Sequence, residues 1–167
     1  MTVAYIGLGS NLGDREANLN KAISMLSQNS PVITVSSIFQ TEPEVCKDQP
    51  DFLNSVACID TDHAAVELLK TLNSIERQMG RERPYAGAPR VIDLDLLIFG
   101  GDIISQPGLD VPHPRLHLRA FVLAPMAEIA PDFVHPVLHK SMKELLIALK
   151  PGYRIEKWER TKDRGQD

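Results

Sequence analysis

Apolar residues along the first hundred positions recur at two spacings, one typical of strands and one typical of helices. Runs that are β-branched or that alternate with polar residues predict strands at residues 3–8, 32–41, 52–60 and 91–99. Apolar residues three and four apart predict two amphipathic helices. One is expected from a cap at Asp14 to about residue 28, the other from a cap at Thr61 or Asp62 to about residue 79.

The order of these elements predicts the fold class. After residue 99, Gly100 and Gly101 begin a predicted hairpin that ends near Pro114, and short helices are predicted near 118–129 and 142–149. We therefore expect an α+β fold with a ferredoxin-like β-α-β-β-α-β core, a mainly antiparallel sheet with helices on one face, and an added hairpin and C-terminal helices. Because no interdomain linker stands out, residues 1–167 are expected to form a single domain with a polar tail at about 160–167.

Composition narrows the classes of partner. The chain has 18 basic and 22 acidic side chains and a net charge of −4, which argues against a general binder of nucleic acid or anionic membranes. Its apolar runs are too short to span a bilayer, and no export signal precedes the first strand. Two cysteines without metal-type spacing fit a reducing compartment. We expect a cytoplasmic protein that has no membrane or nucleic-acid partner and no obligate protein partner.

The arginines are concentrated in one stretch of the chain. Six of the ten lie between residues 77 and 119, namely Arg77, Arg81, Arg83, Arg90, Arg115 and Arg119. A guanidinium group can bind two phosphate oxygens at once. The concentration therefore fits a site for a small polyanion as well as it fits a solvated surface cluster.

Asp93 and Asp95 interrupt an otherwise apolar predicted strand. Side chains two apart in a strand share a face, so both carboxylates are expected to point the same way. Two anions in apolar surroundings need compensating cations, and Mg²⁺ accepts carboxylate and phosphate oxygens as ligands. The alternative is a carboxylate pair that forms ion pairs with nearby arginines. The apolar strand and the adjacent arginine-bearing loop favour the metal site.

The segment from Arg81 to Arg90 contains a glycine and two prolines, typical of a mobile lid over phosphates or of an ordinary surface loop. His113 lies between two prolines, where it either donates to a phosphate or is a surface histidine. The glycines at 7, 9 and 13 match neither a dinucleotide fingerprint nor a P-loop, so they predict only a tight turn.

Asn54 is expected on a strand face beside Phe52. An amide in that position can read the donors and acceptors of a flat heterocycle while an aromatic ring stacks on it, or it can bond across strands. Glu76, near the end of the second helix, is either part of a nucleotide pocket or a solvated carboxylate.

Together, these segments resemble the 6-hydroxymethyl-7,8-dihydropterin pyrophosphokinase family. The resemblance runs from Ala4 to about Pro131 and is most specific over residues 88–97, Ala-Pro-Arg-Val-Ile-Asp-Leu-Asp-Leu-Leu. Further matching motifs lie at residues 4–13, 41–43, 49–54, 111–113 and 119–125.

The resemblance implies an ATP- and Mg²⁺-dependent diphosphokinase of folate biosynthesis, which transfers the pyrophosphoryl group of ATP to the pterin hydroxymethyl and releases AMP. It implies that Asp93 and Asp95 hold two Mg²⁺ ions and that Arg81 and Arg90 act with them as catalytic residues. The implied ATP-binding residues are Asn73, Glu76, Arg83, Ile98, His113 and Arg119. The implied pterin-binding residues are Asn11, Thr41, Pro43, Phe52, Asn54 and Phe121.

Two other hypotheses stay open. One is a different Mg²⁺-dependent nucleotide hydrolase or transferase that uses the same aspartates and arginines. The other is a non-catalytic ferredoxin-like binding module, for example for RNA, and an aromatic fraction of 5% with a negative net charge counts against it. The combination of Phe52, Asn54 and Phe121 favours a flat heterocycle as the second substrate.

Overall fold

A computed structural model describes residues 1–44, 47–81, 84–150, 152 and 154–159. Cys46, Arg83 and the predicted tail at 160–167 lie outside the described residues. The strands are β1 (Thr2–Ser10), β2 (Val32–Val35), β3 (Phe39–Thr41), β4 (Phe52–Thr61), β5 (Asp93–Phe99), β6 (Ile104–Gln106), β7 (Leu109–Val111) and β8 (Ile155–Lys157). The helices are α1 (Arg15–Ser27), α2 (Ala65–Gln78), α3 (Ala120–Ile129) and α4 (Met142–Ala148), with a 3-10 helix at Leu116–Leu118.

Six of these strands form one sheet in which each strand pair is antiparallel. The order across the sheet is β5-β1-β4-β3-β8, and β2 and β3 pair one after the other along the same edge of β4. The strands β6 and β7 form a separate hairpin. The predicted α+β fold with a mainly antiparallel sheet and an added hairpin is confirmed. The predicted turn is wrong for Gly7 and Gly9, because both pair with β4 and β5 and β1 continues to Ser10. Only Gly13 lies in the segment that leads into α1, whose first turn is capped by the Asp14 carboxylate accepting from Ala17 N at 3.1 Å.

Helices cover both faces of the sheet, so the expectation of helices on one face is wrong. The reason lies in the strands: β4 is buried at every position from Leu53 to Ile59, which gives it two apolar faces. One face packs on α1 and α2 around Leu19, Leu26 and Leu72. The other packs on α3 and α4 around residues that include Leu123, Met126, Met142 and Leu145.

A β-bulge in β5 determines which residues reach each face. Ile6 of β1 pairs with Leu96, but Tyr5 pairs with Ile98, so β5 carries one extra residue there. Ahead of the bulge, Leu94 and Leu96 face α1 and α2, as the alternation predicts. After it the alternation is reversed, so Ile98 packs beside Leu97 in the α3 and α4 core.

The predicted strand at residues 32–41 is wrong as a single strand because Ser36 interrupts it. The Ser36 hydroxyl accepts the Val56 N–H at 2.9 Å, a bond that a strand carbonyl would otherwise accept. Pairing resumes at Phe39.

The predicted cap of α2 is also wrong. Thr61 ends β4, and its hydroxyl accepts from Ser30 Oγ and His63 N, while α2 begins later, at Ala65. Within the described residues, no helix combines the length and apolar character needed to span a bilayer. The cytoplasmic location stays a prediction.

Candidate active site

A cleft that is partly open to solvent lies on the α3 side of the sheet, beyond the part that α3 covers. It is formed by the ends of β1, β4 and β5, the segment after β3 and the start of α3. The predicted site residues that line it are Thr41, Pro43, Phe52, Asn54, Arg90, Asp93, Asp95, Arg119 and Phe121. The structure thus brings together both predicted metal ligands and most of the predicted pterin-binding residues.

The floor of the cleft is set by strand register. Gly9 in β1 pairs with Asp93 on one side and Asn54 on the other, so these residues form a row on one face of the sheet. Gly7 pairs with Asp95 in the same way. A Cβ at Gly9 would lie 2.9 Å from Asn54 Oδ1. The glycine therefore leaves open the space between the acidic and the amide ends of the cleft.

An acid–arginine cluster forms the wall at β5. Arg81 Nη1 binds Glu76 Oε2 and also lies 2.9 Å from Asp93 Oδ1, while Arg90 Nη1 donates to Asp93 Oδ2 at 2.9 Å. The Arg81 side chain is only 6% exposed, and its Nε and Nη2 atoms are buried without a hydrogen-bond partner among the described residues. Buried guanidinium donors usually have acceptors. Arg81 itself is not among the residues that line the cleft, so its predicted contact with phosphates stays a prediction.

Glu76 lies behind this wall rather than in the cleft. Its Oε1 accepts the backbone N–H of Leu94 at 3.0 Å, between the two aspartates. Burial raises the pKa of Glu76, while the hydrogen bond from Leu94 and the charge of Arg81 lower it. Glu76 therefore connects α2 to β5 and orients Arg81.

Asp95 is the second carboxylate of the wall. Burial, and then the charge of Asp93, raise its pKa to about 7. Arg119 Nη1 lies 4.0 Å from Asp95 Oδ2, and Arg119 Nε lies 3.5 Å from Glu44 Oε1. Asp93 thus has two arginine partners, whereas Asp95 has only the longer contact with Arg119 among the described residues.

The carboxylate oxygens of Asp93 and Asp95 fit Mg²⁺. Among the described residues, no group of three or more His, Cys, Asp or Glu side chains is placed to hold a metal ion. Mg²⁺ is commonly bound by one or two carboxylates together with substrate phosphates and water, so two carboxylates in a cleft are enough protein ligands for it. The raised pKa of Asp95 indicates an anion that an added cation would stabilise.

The opposite end of the cleft carries amide and aromatic groups. Asn54 Nδ2 donates to Thr41 Oγ1 at 2.7 Å, and both residues are buried. Phe52 and Phe121 also line the cleft, and each ring lies under an arginine: Arg90 Cζ is 5.7 Å from the Phe52 centroid and Arg119 Cζ is 5.3 Å from the Phe121 centroid. The arginines thus lie between the aromatic end and the acidic end.

Asn11 is buried beside the cleft and joins two of its loops. Its backbone N donates to Arg90 O at 3.0 Å, and its Oδ1 accepts from Arg90 N at 2.8 Å. Its Nδ2 donates to Gln49 Oε1 and to Pro50 O. Asn11 therefore holds the Arg90 backbone and the 47–51 segment together, and it is not among the residues that line the cleft.

Three other predicted ATP-binding residues also lie outside the described lining of the cleft. Asn73 is exposed on α2, and Ile98 is buried in the α3 core because of the bulge in β5. His113 N donates to Leu97 O at 2.8 Å, and its Nδ1 accepts from Arg115 N at 3.1 Å. Burial, with the charges of Arg119 and Arg115, lowers the pKa of His113 to about 4. The ring is therefore neutral at physiological pH.

Sequence reasoning missed several lining residues. Glu44, Gln49 and Arg115 line the cleft without having been assigned a role. Arg115 belonged to the arginine-rich stretch, which was a usable signal. Gln49 begins the matching motif at residues 49–54, which was also a signal, whereas Glu44 lies in a loop without periodicity that gave none.

The sequence matches the profile of the family described as 7,8-dihydro-6-hydroxymethylpterin-pyrophosphokinase (HPPK) over residues 5–131. A Bacillus subtilis 2-amino-4-hydroxy-6-hydroxymethyldihydropteridine pyrophosphokinase is 46% identical over 129 residues, covering 76% of this chain and 77% of that protein. The Haemophilus influenzae protein of the same name is 41% identical over 138 residues, covering 81% and 86%.

Longer relatives match as well. A folic acid synthesis protein of Schizosaccharomyces pombe is 40% identical over 156 residues, which are 92% of this chain and 21% of that protein. The chain therefore spans about a fifth of that relative's length. The crystal structure of wild-type Plasmodium falciparum HPPK-DHPS has a TM-score of 0.70 at 14% identity, covering 87% of this chain and 44% of that chain, and this likeness bears on the fold alone.

The predicted family is confirmed by the profile match and by the two bacterial relatives, whose lengths the chain largely covers. The matched residues include the whole described lining of the cleft. The chain belongs to the 7,8-dihydro-6-hydroxymethylpterin-pyrophosphokinase family.

Proposed function

We propose that this protein transfers the pyrophosphoryl group of ATP to the hydroxymethyl group of 6-hydroxymethyl-7,8-dihydropterin, the pyrophosphokinase step of folate biosynthesis. The observation that carries the proposal is one cleft with two chemically different ends. Asp93, Asp95, Arg90 and Arg119 form one end, and a buried amide with two aromatic rings forms the other.

The acidic end fits the phosphates of ATP. Arg90 and Arg119 line the cleft and supply guanidinium groups that can bind phosphate oxygens in pairs, while Arg81 holds Asp93 from behind the wall. Asp93 and Asp95 would hold Mg²⁺, two ions by the resemblance to the family, and bound Mg²⁺ would neutralise charge on the phosphates. Glu76 acts on this end through Arg81, which it orients.

The amide end fits the pterin. The Thr41 hydroxyl fixes one N–H of the Asn54 amide, which leaves the amide oxygen directed over Gly9. Phe52 and Phe121 supply apolar surfaces for a flat ring, and Pro43 adds to the lining. Asn11 acts indirectly, by joining the Arg90 backbone to the segment before Phe52.

In the proposed reaction, the hydroxymethyl oxygen bonds to the β-phosphorus of ATP and loses its proton. The bond from that phosphorus to the oxygen that bridges to the α-phosphate breaks, and AMP leaves. No described side chain is assigned as a general base. The protein contributes by positioning the two substrates and by balancing charge with its arginines, which is how most phosphoryl-transfer catalysts act.

The strand order supports a finer proposal for the fold. If β2 and β3 together count as one strand, the order β5-β1-β4-β3 is that of a ferredoxin-like β-α-β-β-α-β unit. We propose this topology, in a single domain over residues 1–167.

The proposed function is tested by incubating the protein with ATP, Mg²⁺ and reduced hydroxymethylpterin and identifying the nucleotide product. AMP formed in step with pterin diphosphate is expected. ADP, or nucleotide turnover that does not depend on the pterin, would contradict the proposal and favour a different nucleotide hydrolase or transferase.

A pair of arginine variants makes the assay specific to the site. Arg90→Ala is expected to lower kcat by about a hundredfold, the scale for losing one group that stabilises developing charge. Arg77→Ala removes an exposed arginine on α2 that does not line the cleft, so its turnover should match the wild type.

A further inference from the structure

The last described strand, β8, lies outside the residues that match the family profile and yet borders the cleft. It pairs with β3, with Ile155 opposite Thr41 and Lys157 opposite Phe39. Thr41 lines the cleft and bonds to Asn54. The strand therefore lies directly beside β3, which carries Thr41 at the end of the cleft proposed for the pterin.

Arg154, directly before β8, contacts both ends of the segment at residues 42–51. Its Nη2 donates to Asp51 Oδ2 at 2.5 Å, and its backbone N donates to Glu42 Oε1 at 3.4 Å. Glu42 directly follows Thr41, and Asp51 directly precedes Phe52. One residue thus fixes the two points where this segment leaves and rejoins the sheet.

Asp51 is held from three sides. Besides Arg154, its Oδ2 accepts from Gln40 Nε2 at 3.1 Å, and its carbonyl oxygen accepts from Arg15 Nη1 at 2.9 Å. The Asp51 side chain is 19% exposed, whereas that of Arg154 is 59% exposed. Removing the Arg154 side chain should therefore loosen Asp51 without opening the core.

The other anchors of β8 do not touch the cleft. Lys157 Nζ lies 3.3 Å from Glu128 on α3, and Trp158 N donates to Ile38 O at 2.7 Å. These contacts hold the strand in place independently of Arg154. The contribution of Arg154 can therefore be separated from the docking of β8.

We propose that Arg154 is a positioning residue for the pterin end of the cleft, which holds Glu42 and Asp51 so that Thr41 and Phe52 keep their spacing. The identity of the ligand rests on the proposed function, but the bracing of the segment does not. The described polar contacts of Arg154 are with Glu42 and Asp51, not with Asp93 or Asp95, so we expect its effect on the pterin rather than on ATP.

The test compares Arg154→Gln with Lys157→Gln, a matched loss of one cation from the same strand. In the protein without ligand, hydrogen exchange of the backbone amides of Gln40 and Phe52 should be faster in Arg154→Gln and unchanged in Lys157→Gln. In the assay, KM for the reduced pterin should rise about two- to fivefold in Arg154→Gln, the scale of one partly exposed ion pair. KM for ATP and kcat should stay at the wild-type values.

Equal exchange in both variants and the wild type would overturn the bracing, and so would equal acceleration in both. Faster exchange in Arg154→Gln with an unchanged KM for the pterin would overturn its positioning role. If the wild type does not turn over the pterin, the proposed function fails, and the hydrogen-exchange comparison still decides whether Arg154 holds the segment.

Discussion

The amide of Asn54 donates a 2.7 Å hydrogen bond to the hydroxyl of Thr41, and both residues are buried. The bond fixes the amide, so its oxygen extends toward Gly9 in the neighbouring strand. A buried polar pair of this kind restricts what can bind beside it, because a ligand must supply partners for the groups that stay unpaired.

Gly9→Ala is expected to weaken pterin binding about tenfold or more. The new Cβ would lie 2.9 Å from Asn54 Oδ1, and overpacking of this kind typically costs about 1–3 kcal/mol. Calorimetry with reduced hydroxymethylpterin and a non-hydrolysable ATP analogue measures the change. Gly101→Ala is the control, since a Cβ there meets nothing within 4 Å. Wild-type pterin affinity in Gly9→Ala would show that the amide is not at the binding surface.

Asp95→Asn is expected to make the protein more stable and inactive. The pKa of Asp95 is raised to about 7, so its charged form is disfavoured in the folded protein. The protonated Asp95 side chain therefore stabilises the folded protein below the unfolded-state pKa near 4, and this stabilisation is lost as the pH rises through about 7. The side chain is 34% exposed, so we expect a gain of only about 1 kcal/mol at pH 8, or about 2–4 °C in Tm.

Turnover of Asp95→Asn should fall by about a hundredfold or more. Thermal unfolding at pH 8 and the AMP assay measure the two effects, with Asp110→Asn in the separate hairpin as the control. Full activity in Asp95→Asn would refute the metal-ligand assignment, and a lower Tm would refute the electrostatic argument.

Glu44→Gln is expected to tighten ATP binding about two- to fivefold at low salt. Glu44 places a carboxylate in a cleft proposed for a polyanion, and it lies 3.5 Å from Arg119, which is assigned to the phosphates. Asp48→Asn makes the same charge change in the same segment, away from the lining, and should alter affinity less. Titration with the non-hydrolysable ATP analogue at two salt concentrations measures the affinity of each variant. Equal effects of the two variants on this affinity would rule out a specific role for Glu44.

His113 is expected to make stability fall as the pH decreases from about 6.5 to 4. Its pKa is lowered to about 4 in the folded protein, so between these values the unfolded chain binds a proton that the folded one does not. Each such proton contributes a slope of about 1.4 kcal/mol per pH unit. The geometry agrees, because Nδ1 accepts from Arg115 N and cannot do so when protonated.

Denaturant unfolding across this pH range measures the slope, and His113→Asn should flatten it. Some dependence should persist, since burial also lowers the pKa of His135. His63→Asn, at an exposed position before α2, is the control. An unchanged slope in His113→Asn would show that the ring is not held neutral by the fold.

The paired aspartates were predictable because alternation along a strand is local physics. Side chains two apart share a face, and the registers with Gly7 and Gly9 then place both carboxylates over the same cleft. Asp14 was predictable as a cap for the same reason, since a carboxylate at that position bonds to the first turn of its own helix.

What could not be predicted depended on pairing between distant segments. The Ser36 hydroxyl interrupts a strand only because Val56 is opposite, and the bulge near Leu97 exists only relative to β1. The strand β8 is three residues long and is formed by pairing with β3, more than a hundred positions earlier. A local sequence pattern does not indicate which distant segment will pair with it.

Leu94 lies between the two aspartates, with its side chain in the core and its N–H on Glu76. The carboxylates are thus attached to a strand whose alternate side chains are buried in the core, whereas Asp51, next to Phe52 at the other end of the cleft, is held by polar contacts. Insertion of a single residue between Asp95 and the bulge would turn both acids toward the core.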